Sequence, residues 1–84
     1  MQNWFVYIAQ TRSGYYYTGI SNNVINRIKK HNTGKGSRFA RMHSGFSLVY
    51  TSEPMTKSEC LKREIQIKHW KREKKENLIN GIWT

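Results

Sequence analysis

The sequence predicts a small α+β domain in which a three-stranded, at least partly antiparallel sheet is flanked by helices, in the order β-β-α-β-α-α. Two aromatic and β-branched segments are separated by the short polar turn "TRSG", a third such segment follows later, and three segments have helical patterns. Because a short turn joins the first two strands, they form a hairpin and run antiparallel. A chain of 84 residues makes one small domain (1–84) with a thin core.

The two strands of the predicted hairpin are unusually rich in aromatic residues. The first strand is "NWFVYIAQ" (3–10), and the second is "YYYTGI" (15–20), which opens with three consecutive tyrosines. Successive side chains of a strand point to opposite faces, so Tyr15 and Tyr17 share one face and Tyr16 lies on the other. A strand does not need three phenols for packing, so the sequence raises the question of what these hydroxyls contact.

The middle of the chain is predicted to contain a helix, a loop and the third strand. Ser21 or Asn22 supplies a helix start signal, and an apolar stripe follows until the helix ends near Asn32. A glycine-punctuated basic loop is expected over 33–45, and "FSLVYT" (46–51) has the composition of a strand.

Two helices are predicted after the third strand. The segment "TKSE", from Thr56 to Glu59, has the form of a capping box, and a long helix is expected from there to about Arg72. A shorter helix follows, with Gly81 as its stop signal. We expect helices to cover one face of the sheet.

The charge of the chain favours nucleic acid as a partner. Fifteen Lys and Arg residues oppose five acidic residues, which gives a formal net charge of +10 at pH 7. Such a surface attracts polyanions and accelerates their encounter. An anionic membrane ranks below nucleic acid as a partner, because no basic segment carries the strong apolar face that membrane binding needs. The chain has no aspartate, so carboxylate chemistry depends on Glu53, Glu59, Glu64, Glu73 and Glu76.

The single cysteine, Cys60, excludes an internal disulfide and predicts a reducing compartment, hence a cytoplasmic location. Its side chain is expected to be a small buried hydrophobe. No apolar run approaches the roughly 20 residues of a membrane span. A structural zinc site is not expected, because His43 and His69 have no ligand-like partners at useful spacing.

Two short segments resemble the halves of a known signature. The segment "VYI" at 6–8 and the segment "YTG" at 17–19 resemble the GIY-YIG signature of a nuclease superfamily. Arg27, His31 and Glu64 stand where that family has its remaining active-site residues. The resemblance covers nearly the whole chain and is to the small stand-alone bacterial branch. The sequence departs from the signature by lacking the first glycine and by carrying threonine in the middle of the second half.

The resemblance implies a metal-dependent endonuclease that hydrolyses phosphodiester bonds of DNA, including branched or nicked DNA. The implied site consists of Tyr7, Tyr17, Arg27, His31 and Glu64, with Glu64 as the protein ligand of Mg²⁺ or Mn²⁺. These residue types suit the chemistry, because guanidinium groups match phosphate oxygens, histidine relays protons near neutral pH, and Mg²⁺ needs few carboxylates. Tyr7 is expected to act as base or to position water, and Tyr17 to orient the phosphate, although these roles can be exchanged.

Each of these residues also has a structural interpretation. Tyrosines in strands usually serve packing. Arg27 and His31 can form a solvated helix face, one turn apart. Glu64 can pair with Lys68 across one helical turn, a common surface arrangement worth only a few tenths of a kcal/mol.

Two basic patches are expected to contact nucleic acid. The first patch consists of Lys35, Arg38 and Arg41, and the second includes Lys68, Lys71 and Arg72. Asn77 is a further candidate, because the family often has a late asparagine that helps the site. A non-catalytic basic module with the same fold is the alternative function, and a structural, partner-binding protein is a third. The oligomeric state stays open.

Overall fold

The computed structural model describes residues 3–32 and 45–82. The elements in these segments follow the predicted order β-β-α-β-α-α. They are β1 (Phe5–Gln10), β2 (Tyr16–Ser21), α1 (Val24–Asn32), β3 (Ser47–Thr51), α2 (Lys57–Lys68) and α3 (Arg72–Ile79). The α+β prediction is therefore confirmed, while most of the loop predicted over 33–45 lies outside the described residues.

The strands form one sheet in the order β2-β1-β3, and β1 pairs antiparallel with both neighbours. The register between β1 and β2 places Tyr7 opposite Gly19. The turn between these strands is closed by Thr11, whose Oγ1 accepts the amide of Tyr15 at 3.0 Å. Gly14 supplies the positive φ of 96° that this turn requires. The turn therefore fixes the register that sets Tyr7 beside Gly19.

Helices cover both faces of the sheet, whereas the sequence predicted cover on one face. On the first face, α1 contributes Val24 to a core cluster that contains Tyr7 and Ala9. On the second face, Val6 and Ile8 pack against α2 and α3. The reason is that β1 carries apolar side chains on both faces, and each fully buried one contributes about 1.5–3 kcal/mol when it leaves water.

The start of α2 is the capping box that the sequence predicts. The Thr56 hydroxyl accepts the amide of Glu59 at 3.1 Å, and the Glu59 carboxylate accepts the amide of Thr56 at 3.0 Å. Hydrogen bonding to the Glu59 carboxylate, first from the backbone amide of Thr56 and then from its side chain, favours the charged form and holds the pKa of Glu59 below its ordinary value. The box fixes where α2 begins, and thereby the position of every side chain along it.

The predicted end of the long helix at about Arg72 is wrong, because α2 ends at Lys68 and α3 begins at Arg72. Between them, the amide of Trp70 bonds to the carbonyl of Ile67 at 3.1 Å, and the Trp70 ring packs on the second core cluster. Neither glycine nor proline marks this break. The turn is a tertiary effect, since it brings the apolar residues of α3 onto the same core as α2.

The end of α3 follows the sequence prediction. Gly81 has a φ of 71°, and its amide bonds to the carbonyl of Leu78 at 3.2 Å. Left-handed glycine just beyond a helix is a common C-terminal arrangement. Within the described segments, no helix has the length and apolarity needed to cross a membrane.

Candidate active site

The candidate site is built around the buried phenol of Tyr7, which has no exposed surface. Its ring leans over Gly19 on the neighbouring strand, and a Cβ built at Gly19 would lie 2.7 Å from the Tyr7 hydroxyl oxygen. Because β2 is an outer strand of the described sheet, the hydroxyl is directed toward that edge. Glycine at position 19 is therefore what allows the phenol to lie there.

Tyr17 lies beside Tyr7 on the same face of the sheet. The two ring centroids are 6.3 Å apart, with an angle of 35° between the ring planes. Phe46 meets the other side of Tyr17 edge-on, with centroids 5.8 Å apart. Tyr17 is half-buried, so it keeps part of its surface in contact with solvent. The two phenols thus differ in accessibility, and Tyr17 is the more exposed of the two.

Phe46 is held in place by the side chain of Asn32 at the end of α1. The Asn32 Nδ2 donates to the carbonyl oxygen of Phe46 at 3.1 Å, and the Phe46 amide donates to Asn32 Oδ1 at 2.7 Å. This pair of bonds joins the two sides of the undescribed segment 33–44. It also positions the ring that packs against Tyr17.

Arg27 brings a positive charge from α1 to the Tyr7 hydroxyl. Its guanidinium donates a hydrogen bond to that oxygen, and both the bond and the charge favour the phenolate. Burial acts in the opposite direction and is the largest effect, so the pKa of Tyr7 is raised above its ordinary value. Tyr7 therefore keeps its proton at neutral pH in the free protein.

Glu64 approaches the same phenol from α2, the helix on the other face of the sheet. Electrostatic interactions with Tyr17 and with the Glu64 carboxylate each add to the rise in the pKa of Tyr7, which places both groups within electrostatic range of its hydroxyl. The Glu64 side chain is only 18% exposed. Four predicted site residues from four elements thus lie around one edge of the sheet.

The alternative interpretation of Glu64 also has structural support. Lys68 Nζ lies 3.4 Å from Glu64 Oε2, which is the i,i+4 ion pair that the sequence offered as a structural role. Lys68 is about half exposed and Glu64 is largely buried. The pair leaves Lys68 beside the candidate site.

His31 lies in α1 one turn after Arg27, but its side chain is outside what the structure describes. The first predicted basic patch, Lys35, Arg38 and Arg41, lies wholly outside the described residues. Their roles stay predictions.

In the second basic patch, Arg72 is tied into the fold. Its Nη1 donates to the carbonyl of Gly14 at 2.8 Å, its guanidinium lies 4.3 Å from the centroid of the Tyr16 ring, and its Nε is 3.5 Å from Glu76 Oε2. Lys71 is exposed just before α3. These contacts give Arg72 a structural role that charge counting did not reveal.

Asn77 lies half-buried in α3, and its carbonyl accepts the amide of Ile82 at 3.0 Å. Its part in the site stays a prediction.

The donor set suits a hard cation bound mainly by water and substrate. In the described part of the chain, no group of three or more His, Cys, Asp or Glu side chains is placed to hold a metal. Mg²⁺ usually binds through one or two protein carboxylates and keeps several waters, so the largely buried carboxylate of Glu64 can serve as its protein ligand. The residues present therefore fit Mg²⁺ or Mn²⁺ better than zinc.

Three residues that shape the site were not among the sequence predictions. Gly19 was noted only as part of the signature, Asn32 only as a helix end, and Phe46 only as a strand residue. Their effects depend on contacts between segments far apart in the sequence. Gly19 in the segment "YTG" was the one local signal, since glycine inside a strand often marks a place where another part of the chain approaches closely.

Comparison with known proteins shows the family of this chain. A sequence model described as the GIY-YIG catalytic domain matches residues 3–77. The chain belongs to the GIY-YIG family. It is 43% identical over 79 residues to UPF0213 proteins of Staphylococcus aureus strains COL and MW2, which covers 94% of this chain and 96% of each relative.

A solved relative has the same fold. The solution NMR structure of a UPF0213 protein from Bacillus halodurans is 40% identical to this chain and superimposes with a TM-score of 0.58. The match covers 92% of this chain and 82% of that one. The resemblance seen in the sequence is thus confirmed at the level of the family.

Proposed function

We propose that this GIY-YIG protein is a metal-dependent endonuclease that hydrolyses phosphodiester bonds in DNA. The observation that carries the proposal is the approach of Arg27, Tyr17 and Glu64 to the Tyr7 hydroxyl at one edge of the sheet. Phosphodiester hydrolysis needs a cationic donor for the phosphate, a group that controls a proton, and stabilisation of the leaving oxygen. Arg27 supplies the cationic donor, the two tyrosines supply the groups that control a proton, and Glu64 supplies a place for a cation that stabilises the leaving oxygen.

The two phenols take different roles in this proposal. Tyr17 contacts the phosphate, because it is the phenol with exposed surface. Tyr7 holds the Arg27 guanidinium at the site. It can act as a base only after its own proton has passed to another group such as water, a loss that positive charge near its oxygen favours and burial opposes. Arg27 donates to phosphate oxygens, for which its planar fork is suited.

Glu64 is the proposed protein ligand of Mg²⁺ or Mn²⁺. When bound, such a cation polarises the phosphate and stabilises the leaving oxygen. The buried position of Glu64 keeps water away from one side of the carboxylate, and Lys68 balances its charge until substrate and metal arrive. His31, one turn beyond Arg27, is proposed as a proton relay.

DNA is the proposed substrate because of the charge of the chain. The net charge of +10 favours a polyanion, and binding to it should weaken steeply with salt. Lys35, Arg38, Arg41, Lys68, Lys71 and Arg72 are the proposed contributors to this attraction. Branched or nicked DNA is the proposed form of the substrate.

The test is cleavage of nicked, branched and flapped DNA by the purified protein with Mg²⁺ or Mn²⁺. Glu64→Gln should lose at least about 100-fold in rate, as expected when a group that stabilises the transition state is removed. Glu73→Gln, an exposed glutamate at the start of α3, is the matched control and should cleave like the wild type. Equal rates for Glu64→Gln and wild type would contradict the proposed site.

A non-catalytic DNA-binding module is the second candidate. Two observations favour it, namely the absence of exposed surface on Tyr7 and the ion pair between Glu64 and Lys68. Salt-sensitive binding without metal-dependent cleavage of any substrate in the panel would support this candidate over the nuclease.

A further inference from the structure

A polar cavity of about 180 Å³ lies beside the candidate site, at the first turns of α1. Its lining residues come from the end of β2, from the two-residue link that follows it and from α1: Ser21, Asn22, Asn23, Asn26, Arg27 and Lys30. The volume is several times the roughly 30 Å³ that one water molecule occupies in the liquid. The cavity therefore has room for a small polar group together with water.

Arg27 connects this cavity to the candidate site. It lines the cavity and also donates to the hydroxyl of Tyr7. A guanidinium has five N–H donors in a planar fork, so one face can meet the phenol while other donors point elsewhere. An anion in the cavity would thus lie next to the phosphate that Arg27 is proposed to orient.

The cavity is lined for an anion. Its lining has two cationic residues, Arg27 and Lys30, and no acidic one, and the sequence of α1, "VINRIKKHN", contains no acid. Two other lining side chains serve the helix start: Ser21 Oγ accepts the amide of Asn23 at 2.9 Å, and Asn23 Oδ1 accepts the amide of Asn26 at 3.2 Å. These capping hydrogen bonds hold two of the lining side chains in place, while the Lys30 ammonium and the Arg27 guanidinium provide the positive charge.

We propose that this cavity binds a second phosphate of the same DNA strand, beside the phosphate held at the cleavage site, with Lys30 as its charged contact. The inference rests on the proposed function, because it assumes that the strand reaches Arg27. The amide side chain of Asn26 supplies a neutral donor to the same phosphate. Contacts of this kind position a strand without selecting its sequence.

The test compares two neighbouring lysines of α1. Lys30 lines the cavity, whereas Lys29 is exposed on the same helix and does not line it. Binding of a nicked DNA duplex is measured by fluorescence anisotropy in EDTA over a range of salt concentrations. The slope of log K against log salt is negative, and loss of one phosphate contact makes it less steep by about 0.9. We expect this change in Lys30→Gln and an unchanged slope in Lys29→Gln.

A second variant separates the phosphate contact from a general loss of charge. Asn26→Ala keeps the backbone amide that Asn23 caps and keeps the net charge, so it should weaken binding while leaving the salt slope as in the wild type. Equal changes in Lys29→Gln and Lys30→Gln, or no change in either, would overturn the second-phosphate site. The nuclease proposal would still stand in that case if cleavage continued to depend on Glu64. No binding by the wild type at low salt would overturn both.

Discussion

The hydroxyl of Tyr7 occupies the space where a side chain on Gly19 would begin. The distance from a Cβ at position 19 to that oxygen would be 2.7 Å, and to the ring carbon Cζ 2.8 Å. Gly19 does not have the positive φ that usually calls for glycine; Gly14, Gly45 and Gly81 do. Its requirement is steric, and it comes from a ring on the neighbouring strand.

Gly19→Ala should therefore displace the Tyr7 ring. Because Tyr7 is fully buried, the ring cannot swing into solvent, and we expect a loss of about 1–3 kcal/mol in the free energy of unfolding. Urea denaturation measures this loss. Tyr7→Leu removes the atoms that clash, so Gly19→Ala should cost less in that background. An equal cost in both backgrounds would show that the ring is not the cause.

The hydrogen bonds between Asn32 and Phe46 should stabilise the fold and hold the Phe46 ring against the ring of Tyr17. Asn32→Ala leaves the amide and the carbonyl of Phe46 without this partner, and we expect a loss of about 1–3 kcal/mol. Denaturation followed by near-ultraviolet circular dichroism measures the stability and the aromatic environment. Asn32→Asp keeps the acceptor for the Phe46 amide and should lose less. Stability in Asn32→Ala equal to that of the wild type would contradict this role.

Arg72 and Lys71 should differ in what they contribute to stability. Arg72→Lys keeps the charge but loses the planar group that contacts Gly14 and the Tyr16 ring, so we expect a lower melting temperature. Lys71→Gln, at an exposed position, should melt like the wild type. Differential scanning fluorimetry provides the comparison. The account of Arg72 fails if Arg72→Lys is as stable as the wild type.

The buried phenol of Tyr7 predicts a loss of stability at alkaline pH. Its pKa is raised above 10.0 in the folded protein, mainly by burial, so the unfolded chain loses this proton first as the pH rises. The contribution to stability is complete below about pH 10 and is lost as the pH rises from there through the folded pKa. Urea denaturation at about pH 8 and about pH 11 should show a smaller difference in Tyr7→Phe than in the wild type.

Tyr15→Phe is the control for this measurement, since Tyr15 is an exposed tyrosine next to the same hairpin. It should retain the wild-type difference between the two pH values. The pKa of Tyr16 is also raised, by burial and by Glu76, so some alkaline loss should persist in Tyr7→Phe. Identical pH dependence in Tyr7→Phe and wild type would contradict the shift.

The order of elements was predictable because it depends on local signals. The capping box at Thr56, the turn before Tyr16 and the glycine at position 81 each act within a few residues. The break after Lys68 was not predictable in this way, because Trp70 leaves the helix to pack on residues far away in the sequence.

The same limit applies to the candidate site. The family resemblance was carried by the spacing of five residues: Tyr7, Tyr17, Arg27, His31 and Glu64. The family is confirmed by the match over residues 3–77, while the roles of these residues stay predictions. The roles of Asn32 and Arg72 depend on partners that only the folded chain brings near, namely Phe46 for the first and Gly14 for the second, so pattern and charge alone did not reveal them.

The most direct test of the central claim is the single-turnover rate of DNA cleavage by the wild type, Arg27→Gln, Glu64→Gln and the variant with both changes. If these side chains act on one phosphate in one site, each single change should lower the rate at least about 100-fold, and the double change should cost far less than the product of the two. Rates near that of the wild type in either single variant, or losses that multiply in the double variant, would contradict a shared site.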